Sequence, residues 1–428
     1  MRMMRAHCMN SAELHRKSRG ILSSLGMRRL GSILIALSIL IAAGCKSNGE
    51  DPDLSAPLGD EDFTVLIYMA GDNSMAKDID YTLKCIREGA QGCKGNVVVY
   101  VDRPSRPARL IRVSAKGDDQ LLATYTDSDS GRASTLATVL EETRARYPNQ
   151  EYGLVIWSHA DGWLPRTTIR SIAPDNSTGN AIDIDLLAQA LPDSGLEYIW
   201  FDACFMGSIE VFYQLRNKAH YLIGSPTEVL MASAYDASGI PYHKVLPYLL
   251  SHEESSLITA CQKYIRHYYE KPSGSTLQSA SIAMVQTSKL DDLYRATRTA
   301  LAGKLSSLDD LRTDHLQTYH RPQYPDPIYY DLGDIVTRIG GESREWDSAY
   351  KSCVIYKGAT PRFTQSTKKG SESFVEINPN KFSGLSCYLP LTSESQSRRY
   401  AFYFDHIDWS SVWNLSFGCR FGAEEIRR

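Results

Sequence analysis

Two short apolar runs with matching ends constrain this chain more than any other feature of it. One is Tyr198-Ile199-Trp200-Phe201, which leads into Asp202-Ala203-Cys204. A run that short, followed by a change of pattern, reads as a buried strand. Gly207 and Ser208 follow, and Ile209, Phe212, Tyr213 and Leu215 then mark one side of a helix. The other run is Tyr152-Gly153-Leu154-Val155-Ile156-Trp157, which leads into Ser158-His159. A cysteine and a histidine therefore each sit just past the carboxyl end of a strand. The 45 residues between them (204 − 159) leave room for one crossover helix, as parallel neighbours require. In open α/β sheets that edge is where sites are built. A thiol ahead of a helix N-terminus is biased towards thiolate, and an imidazole at the neighbouring strand end supplies a base.

The rest of the body alternates in the same way. Phe63 to Met69 and Val97 to Val101 read as strands, and Asp72-Asn73-Ser74 caps a helical stretch from Met75 to Glu88. Leu110 to Val113 and Leu121 to Tyr125 flank Lys116-Gly117-Asp118-Asp119 as a hairpin. Thr135 to Tyr147 is a helix, with Leu136, Val139, Leu140 and Thr143 at helical spacing. Leu186 to Leu191 is the crossover helix, and Tyr221 to Gly224 a further strand. This alternation predicts an α/β fold, a mostly parallel sheet flanked by helices. After Gly239 the pattern changes. Helices are expected over Leu246 to Leu250, Ser256 to Tyr269, Leu290 to Leu305, Asp331 to Ile339 and Glu345 to Cys353. Strands are expected over Ser281 to Gln286, Phe374 to Ile377 and Leu385 to Leu389. Residues 61–250 are thus read as the core, and 251–428 as a helical-rich C-terminal part packed on it. Tyr319 to Tyr330, with Pro322, Pro325 and Pro327, reads as an extended loop.

The N-terminus reads as a targeting segment. Met27-Arg28-Arg29-Leu30 is basic, and Gly31 to Ala43 is an apolar run of signal-peptide length, too short for an ordinary membrane span. It ends in Ile41-Ala42-Ala43-Gly44-Cys45, the pattern of a bacterial lipobox, in which Cys45 takes the lipid. Residues 1–45 are read as a signal peptide with Met27 as its start, and 46–60 as a flexible tether. The expectation is a lipid anchor in the cell envelope of a bacterium, at the outer membrane. Net charge is −3, which gives no electrostatic case for binding nucleic acid. Of nine cysteines, Cys8 and Cys45 belong to the leader. An odd number remains, so an exported monomer keeps at least one unpaired. Cys204 is the expected free thiol. Cys85 and Cys93 are spaced for a local disulfide, although Cys85 also fits a helix core face. No cysteine or histidine spacing suggests zinc.

The segments Ser158-His159-Ala160-Asp161-Gly162-Trp163 and Asp202-Ala203-Cys204-Phe205-Met206-Gly207 together resemble the clostripain-like cysteine peptidases. Phe63 to Asn73 and Phe382 to Pro390 agree, and the likeness runs from Phe63 to Trp413. The resemblance implies a caspase-type fold and a cysteine endopeptidase with a His159/Cys204 dyad, acting as a monomer on a peptide or protein substrate. It implies an oxyanion hole from the backbone N–H groups of Ala160 and Cys204. Relatives usually carry Gly directly after the His, and Gly allows backbone angles that Ala disfavours, so Ala160 is a departure. The family prefers Arg or Lys before the cut, and Asp202 matches its pocket acid. A second pocket acid usually lies in a Gly-rich stretch after the next strand. Here that stretch reads Ser225 to Asp236, without the glycines, and Glu228 or Asp236 stands open for the role. Some relatives cut themselves between the two site strands, where Arg166 and Arg170 lie. Calcium activates some relatives, and Asp175, Asp183 and Asp185 lie near this loop without EF-hand spacing. Neither a metal site nor a cofactor is assigned.

A reading from another class is an inactive surface lipoprotein of the same fold, binding peptide or glycan in the old cleft. Ala160 and the altered stretch around Glu228 favour it, while His159 and Cys204 oppose it. A different hydrolase or transferase with a cysteine nucleophile is a weaker third.

Overall fold

The computed structural model describes residues 59–126, 128–148, 150–165, 171–304, 313–319, 327–366, 372–391 and 396–413. The chain divides into two units, Met1–Leu54 and Ser55–Arg428, and every described residue belongs to the second. The signal peptide, Cys45, Arg166, Arg170 and Cys419 lie outside the described residues.

Five apolar runs form the parallel centre of the sheet. They are β1 (Phe63–Ala70), β2 (Asn96–Arg103), β5 (Glu151–Trp157), β6 (Leu196–Asp202) and β7 (Ala219–Gly224). The hairpin β3 (Arg106–Arg112) and β4 (Gln120–Tyr125) adds antiparallel strands beyond β2. At the other edge, Ser281–Gln286 pairs antiparallel with β7, and Val354–Ala359 pairs antiparallel with it in turn. The nine strands run Val354–Ala359, Ser281–Gln286, β7, β6, β5, β1, β2, β3, β4. The sheet therefore runs on into the C-terminal half of the chain through two strands, of which Ser281–Gln286 is among those expected and Val354–Ala359 is not. The expected late strands pair elsewhere: Glu372–Glu376 with Arg362–Ser366, and Ser386–Cys387 with Tyr330–Asp331.

Helices cover both faces, because the central strands are apolar on both sides. Val65, Ile67 and Met69 of β1 join a core with α1 (Ile79–Gly89), α5 (Tyr242–Leu249) and α6 (Glu254–Tyr269). Leu66 and Tyr68 join the opposite core, with α2 (Ala133–Arg146), α3 (Ile184–Ala190), α4 (Ile209–Gln214) and α7 (Leu290–Leu301). Further along the chain, α8 (Leu332–Gly340), α9 (Arg344–Cys353) and α10 (Arg398–His406) extend this second core. Each fully buried Leu, Ile or Val contributes about 1.5–3 kcal/mol. The stretch expected as one helix from Met75 begins as a 3-10 turn, Ser74–Asp78, capped by Asn73, whose side chain accepts from Met75 N–H.

Cys85 and Cys93 are both free thiols, which corrects the disulfide reading. Cys85 is buried on the core face of α1. Cys93 donates to Gly89 O at 3.2 Å, following its own chain rather than Cys85. The Tyr319 to Tyr330 stretch lies partly outside the described residues, but Tyr319, Tyr329 and Tyr330 are buried.

Candidate active site

The register of the sheet brings the two candidate residues to one edge. In the parallel β5–β6 pair, Trp157 stands opposite Asp202. His159 and Cys204 each follow two residues later, at the carboxyl ends of adjacent strands. The strand order reverses between β1 and β5, since β2 lies on one side of β1 and β5 on the other. Crevices at such a reversal are where open sheets bind ligands.

Beyond each strand the chain turns sharply. Phe205, next to the cysteine, adopts φ +59°, a conformation rare for a bulky side chain. Its N–H donates to Thr227 O at 3.0 Å, and its ring stacks on Tyr329 with centroids 4.8 Å apart. Strain of this kind costs on the order of 1–3 kcal/mol and persists only where the surroundings enforce it. Gly162, at φ +62°, closes the histidine turn against the same place. A Cβ there would sit 3.0 Å from both Phe205 O and the Tyr329 hydroxyl. The two turns are thus built against one another. Ala160 is buried and is not among the described residues with positive φ. Its backbone angle is open to any L-residue, so replacing the usual Gly costs nothing in φ at this position.

Cys204 is half-buried. Its Sγ accepts from Val229 N–H at 3.3 Å, with Val229 O farther away at 3.9 Å. An N–H directed at sulfur favours the thiolate. His159 Nε2 lies 2.8 Å from Ser74 Oγ, on the turn that follows β1. The histidine loop is tied back by Ala173 N–H, which donates to His159 O at 3.2 Å. Ser208 caps α4 by accepting from Val211 N–H at 3.3 Å. Glu210 in its first turn is fully buried. It accepts from Tyr388 N–H at 2.7 Å and from the Ser208 hydroxyl at 2.9 Å. Burial pushes the Glu210 carboxyl up to about 7, against those hydrogen bonds.

The acids expected in a pocket have different surroundings. Asp202 is buried at 4 % exposure. It accepts from Ile240 N–H and from the Tyr242 hydroxyl, each at 3.0 Å. Burial raises its carboxyl to about 7, which those two bonds only partly oppose. Gly239, at φ +61°, lies against it so closely that a Cβ would come within 2.2 Å of Asp202 Oδ1. Asp236 is half-exposed and bonded by Tyr81 O–H at 2.5 Å, with Lys271 Nζ at 3.4 Å and His267 Nε2 at 3.7 Å. Burial works to raise its carboxyl, but the Tyr81 bond and the charges of His267, Lys271 and His243 hold it low. Glu228 is part-exposed, and Thr227 Oγ1 donates to its carbonyl at 3.2 Å.

Among the described residues, Asp236, His243 and His267 approach metal-ligand spacing. Their neighbours oppose a cation. His267 Nε2 lies 2.7 Å from Asp236 O, so that nitrogen carries the proton and donates. Lys244 Nζ approaches Nδ1 of the same ring at 3.0 Å, and Lys271 already meets the Asp236 carboxylate. The acids weighed for calcium diverge. Asp175 accepts from Ser130 and Thr178 N–H groups, Asp183 from the Ser171 hydroxyl, and Asp185 pairs with His406. Among the described residues these three acids form no group at metal-ligand spacing.

Sequence reasoning missed Ser74, Val229, Gly239 and Tyr242 as parts of this edge. Ser74 was legible only as part of a helix cap, and nothing local marks the other three.

No curated protein matches this chain. The structure is similar to an inactive zymogen C11 protease from Parabacteroides distasonis, at 28% identity and TM-score 0.70, covering 83% of this chain and 99% of that one. It is similar to a secreted C11 cysteine protease from Bacteroides thetaiotaomicron solved with an irreversible peptide inhibitor, at 30% identity and TM-score 0.70, covering 82% and 99%. A second secreted C11 cysteine protease of that organism, at 22% identity and TM-score 0.66 over 83% and 99%, shares the fold. The clostripain family model, Peptidase C11, matches residues 67–415. With a match over that length, on a sheet whose strand ends carry a cysteine and a histidine in register, this chain belongs to the clostripain family of cysteine peptidases.

Proposed function

We propose that Cys204 is the nucleophile and His159 its proton carrier in a peptidase that cuts after Arg or Lys. The observation that carries this reading is the β5–β6 register, which sets both residues two positions beyond paired strand ends. Cys204 thiolate attacks the scissile carbonyl and the C–N bond then breaks. The imidazolium of His159 gives its proton to the departing amine. A thioester remains. Water, deprotonated by His159, attacks it and restores the thiol. Backbone N–H groups of Ala160 and Cys204 face the developing oxyanion.

Asp202 is the acid for the basic side chain. Each of its oxygens accepts one bond and has a lone pair to spare. A guanidinium nearby favours the ionised form, so binding draws the Asp202 carboxyl down from about 7 and releases a proton. Asp236 is held by Tyr81, Lys271 and His267, and the second acid is either it or Glu228. Self-cleavage at Arg166 or Arg170 and a lipid on Cys45 in the bacterial cell envelope, at the outer membrane, complete the reading. No described helix is long and apolar enough to cross a membrane.

The test is cleavage of fluorogenic peptides ending in Arg, Lys, Asp or Ala by the detergent-solubilised chain, beside Cys204→Ala. Cleavage after Arg or Lys that vanishes in the variant is the expected result. Cleavage after another residue would keep the dyad and remove the Asp202 assignment. No cleavage by folded protein, with or without calcium and after limited proteolysis, would replace the enzyme with a binding lipoprotein.

A further inference from the structure

Ser74 has no part in the mechanism above, yet its hydroxyl lies 2.8 Å from Nε2 of His159. The turn that carries it is fixed from several sides. Asn73 is buried, and its Oδ1 accepts from Met75 N–H at 2.9 Å. Its amide donates to the carbonyls of Ala70 and Pro174, both at 2.9 Å. Asn176 N–H donates to Asp72 O at 2.7 Å, and the Ser177 hydroxyl to the Asp72 carboxylate. The segment gripped in this way is the one whose Ala173 N–H holds the carbonyl of His159. Hydroxyl and imidazole are therefore mounted on one frame. Ser74 itself is exposed, and the helix cap beside it is made by Asn73. The fold does not need this hydroxyl, whereas the histidine is held by it.

We propose that Ser74 is the positioning residue of His159, the third member of the constellation. It accepts a hydrogen bond from Nε2–H, so the proton traffic with Cys204 runs through Nδ1. This inference rests on the dyad proposed above. When the thiol gives its proton to Nδ1, the imidazolium carries N–H on both nitrogens, and Ser74 Oγ accepts from Nε2. When Nδ1 passes that proton to the leaving amine, Nε2 keeps its own and the same bond persists. The hydroxyl thus orients the ring and stabilises the cation, whose Nε2 can only donate. Which ring nitrogen works as the base is set by the bond the other makes.

The experiment compares Ser74→Ala and Ser74→Thr in the full chain, beside Cys204→Ala and His159→Ala. It measures cleavage of the best peptide from the test above and the rate of alkylation of Cys204 by iodoacetamide against pH. Ser74→Ala should lower kcat by about 10- to 100-fold with little change in KM, the usual scale for losing an orienting partner. Its alkylation profile should narrow, because the thiolate–imidazolium pair forms at higher pH and its imidazolium is lost at lower pH. Ser74→Thr, which keeps the hydroxyl, should restore both. Wild-type kcat and an unchanged pH profile in Ser74→Ala, with Cys204→Ala and His159→Ala inactive, would overturn this inference and leave the dyad standing. Equal losses in the Ala and Thr variants with an unshifted profile would also overturn it. Full activity in His159→Ala or Cys204→Ala would instead overturn the dyad.

Discussion

The turn after α1 and the turn after β6 each hold a half-buried cysteine, and each sulfur has a close backbone neighbour opposite in kind to the other's. Cys93 points its sulfur at a carbonyl, Gly89 O at 3.2 Å. Burial raises its thiol to about 11. Cys204 receives an N–H, that of Val229, at 3.3 Å. A carbonyl stabilises S–H, whereas an N–H stabilises S⁻. Equal exposure therefore does not mean equal chemistry. The strand-end turn, with a backbone N–H at the sulfur and a histidine two residues past the neighbouring strand end, suits a nucleophile better.

The sharpest way to break this comparison is to delete each thiol in turn. Cys204→Ala should reduce kcat/KM at least about 1000-fold, as loss of a covalent nucleophile does. Cys93→Ser should leave cleavage of the same peptide unchanged. The next effect is on recognition. Asp202→Asn should lower kcat/KM for an Arg peptide by about 100-fold, a charged partner lost in a buried pocket, and much less for an Ala peptide. Burial pushes this carboxyl up to about 7, so KM for the Arg peptide should rise as pH falls through that value, read from initial rates between pH 5.5 and 8.

Val229→Pro removes the N–H directed at Cys204. The alkylation rate of Cys204 at neutral pH should fall by about tenfold, the scale of one charge-assisted hydrogen bond, with the circular dichroism spectrum unchanged. A gentler effect is on stability. Glu210 is raised from 4.5 to about 7 by burial. A carboxyl whose folded pKa lies above its unfolded value stabilises the fold at pH below about 4.5, and that contribution is lost as pH rises towards about 7. Glu210→Gln should flatten the dependence of Tm on pH over that window. The smallest effect belongs to Ala160→Gly, which should change kcat/KM by no more than about twofold, because Ala160 occupies no glycine-only conformation.

What was legible in the sequence is what local chemistry dictates. The central strands announce themselves because both faces are buried, and the helices between them by their spacing. His159 and Cys204 were visible as polar ends of apolar runs. Val354–Ala359 was not, because it is only half-buried and contains Lys357 and Gly358. The spacing of Cys85 and Cys93 suggested a bond that their surroundings do not make. Asn73 was legible as a cap, whereas the contact of Ser74 spans 85 residues and depends on β1 and β5 lying side by side. The hold of Ile240 and Tyr242 on Asp202 depends likewise on how a loop returns to the sheet edge.

The most direct measurement is mass-spectrometric mapping of an irreversible thiol reagent carried on a peptide ending in Arg, applied at neutral pH to the full chain and to His159→Ala. The account predicts modification at Cys204 in the native chain, none at Cys93, and loss of that labelling in His159→Ala. Modification at Cys93 in preference to Cys204, or labelling of Cys204 at the same rate without His159, would contradict it.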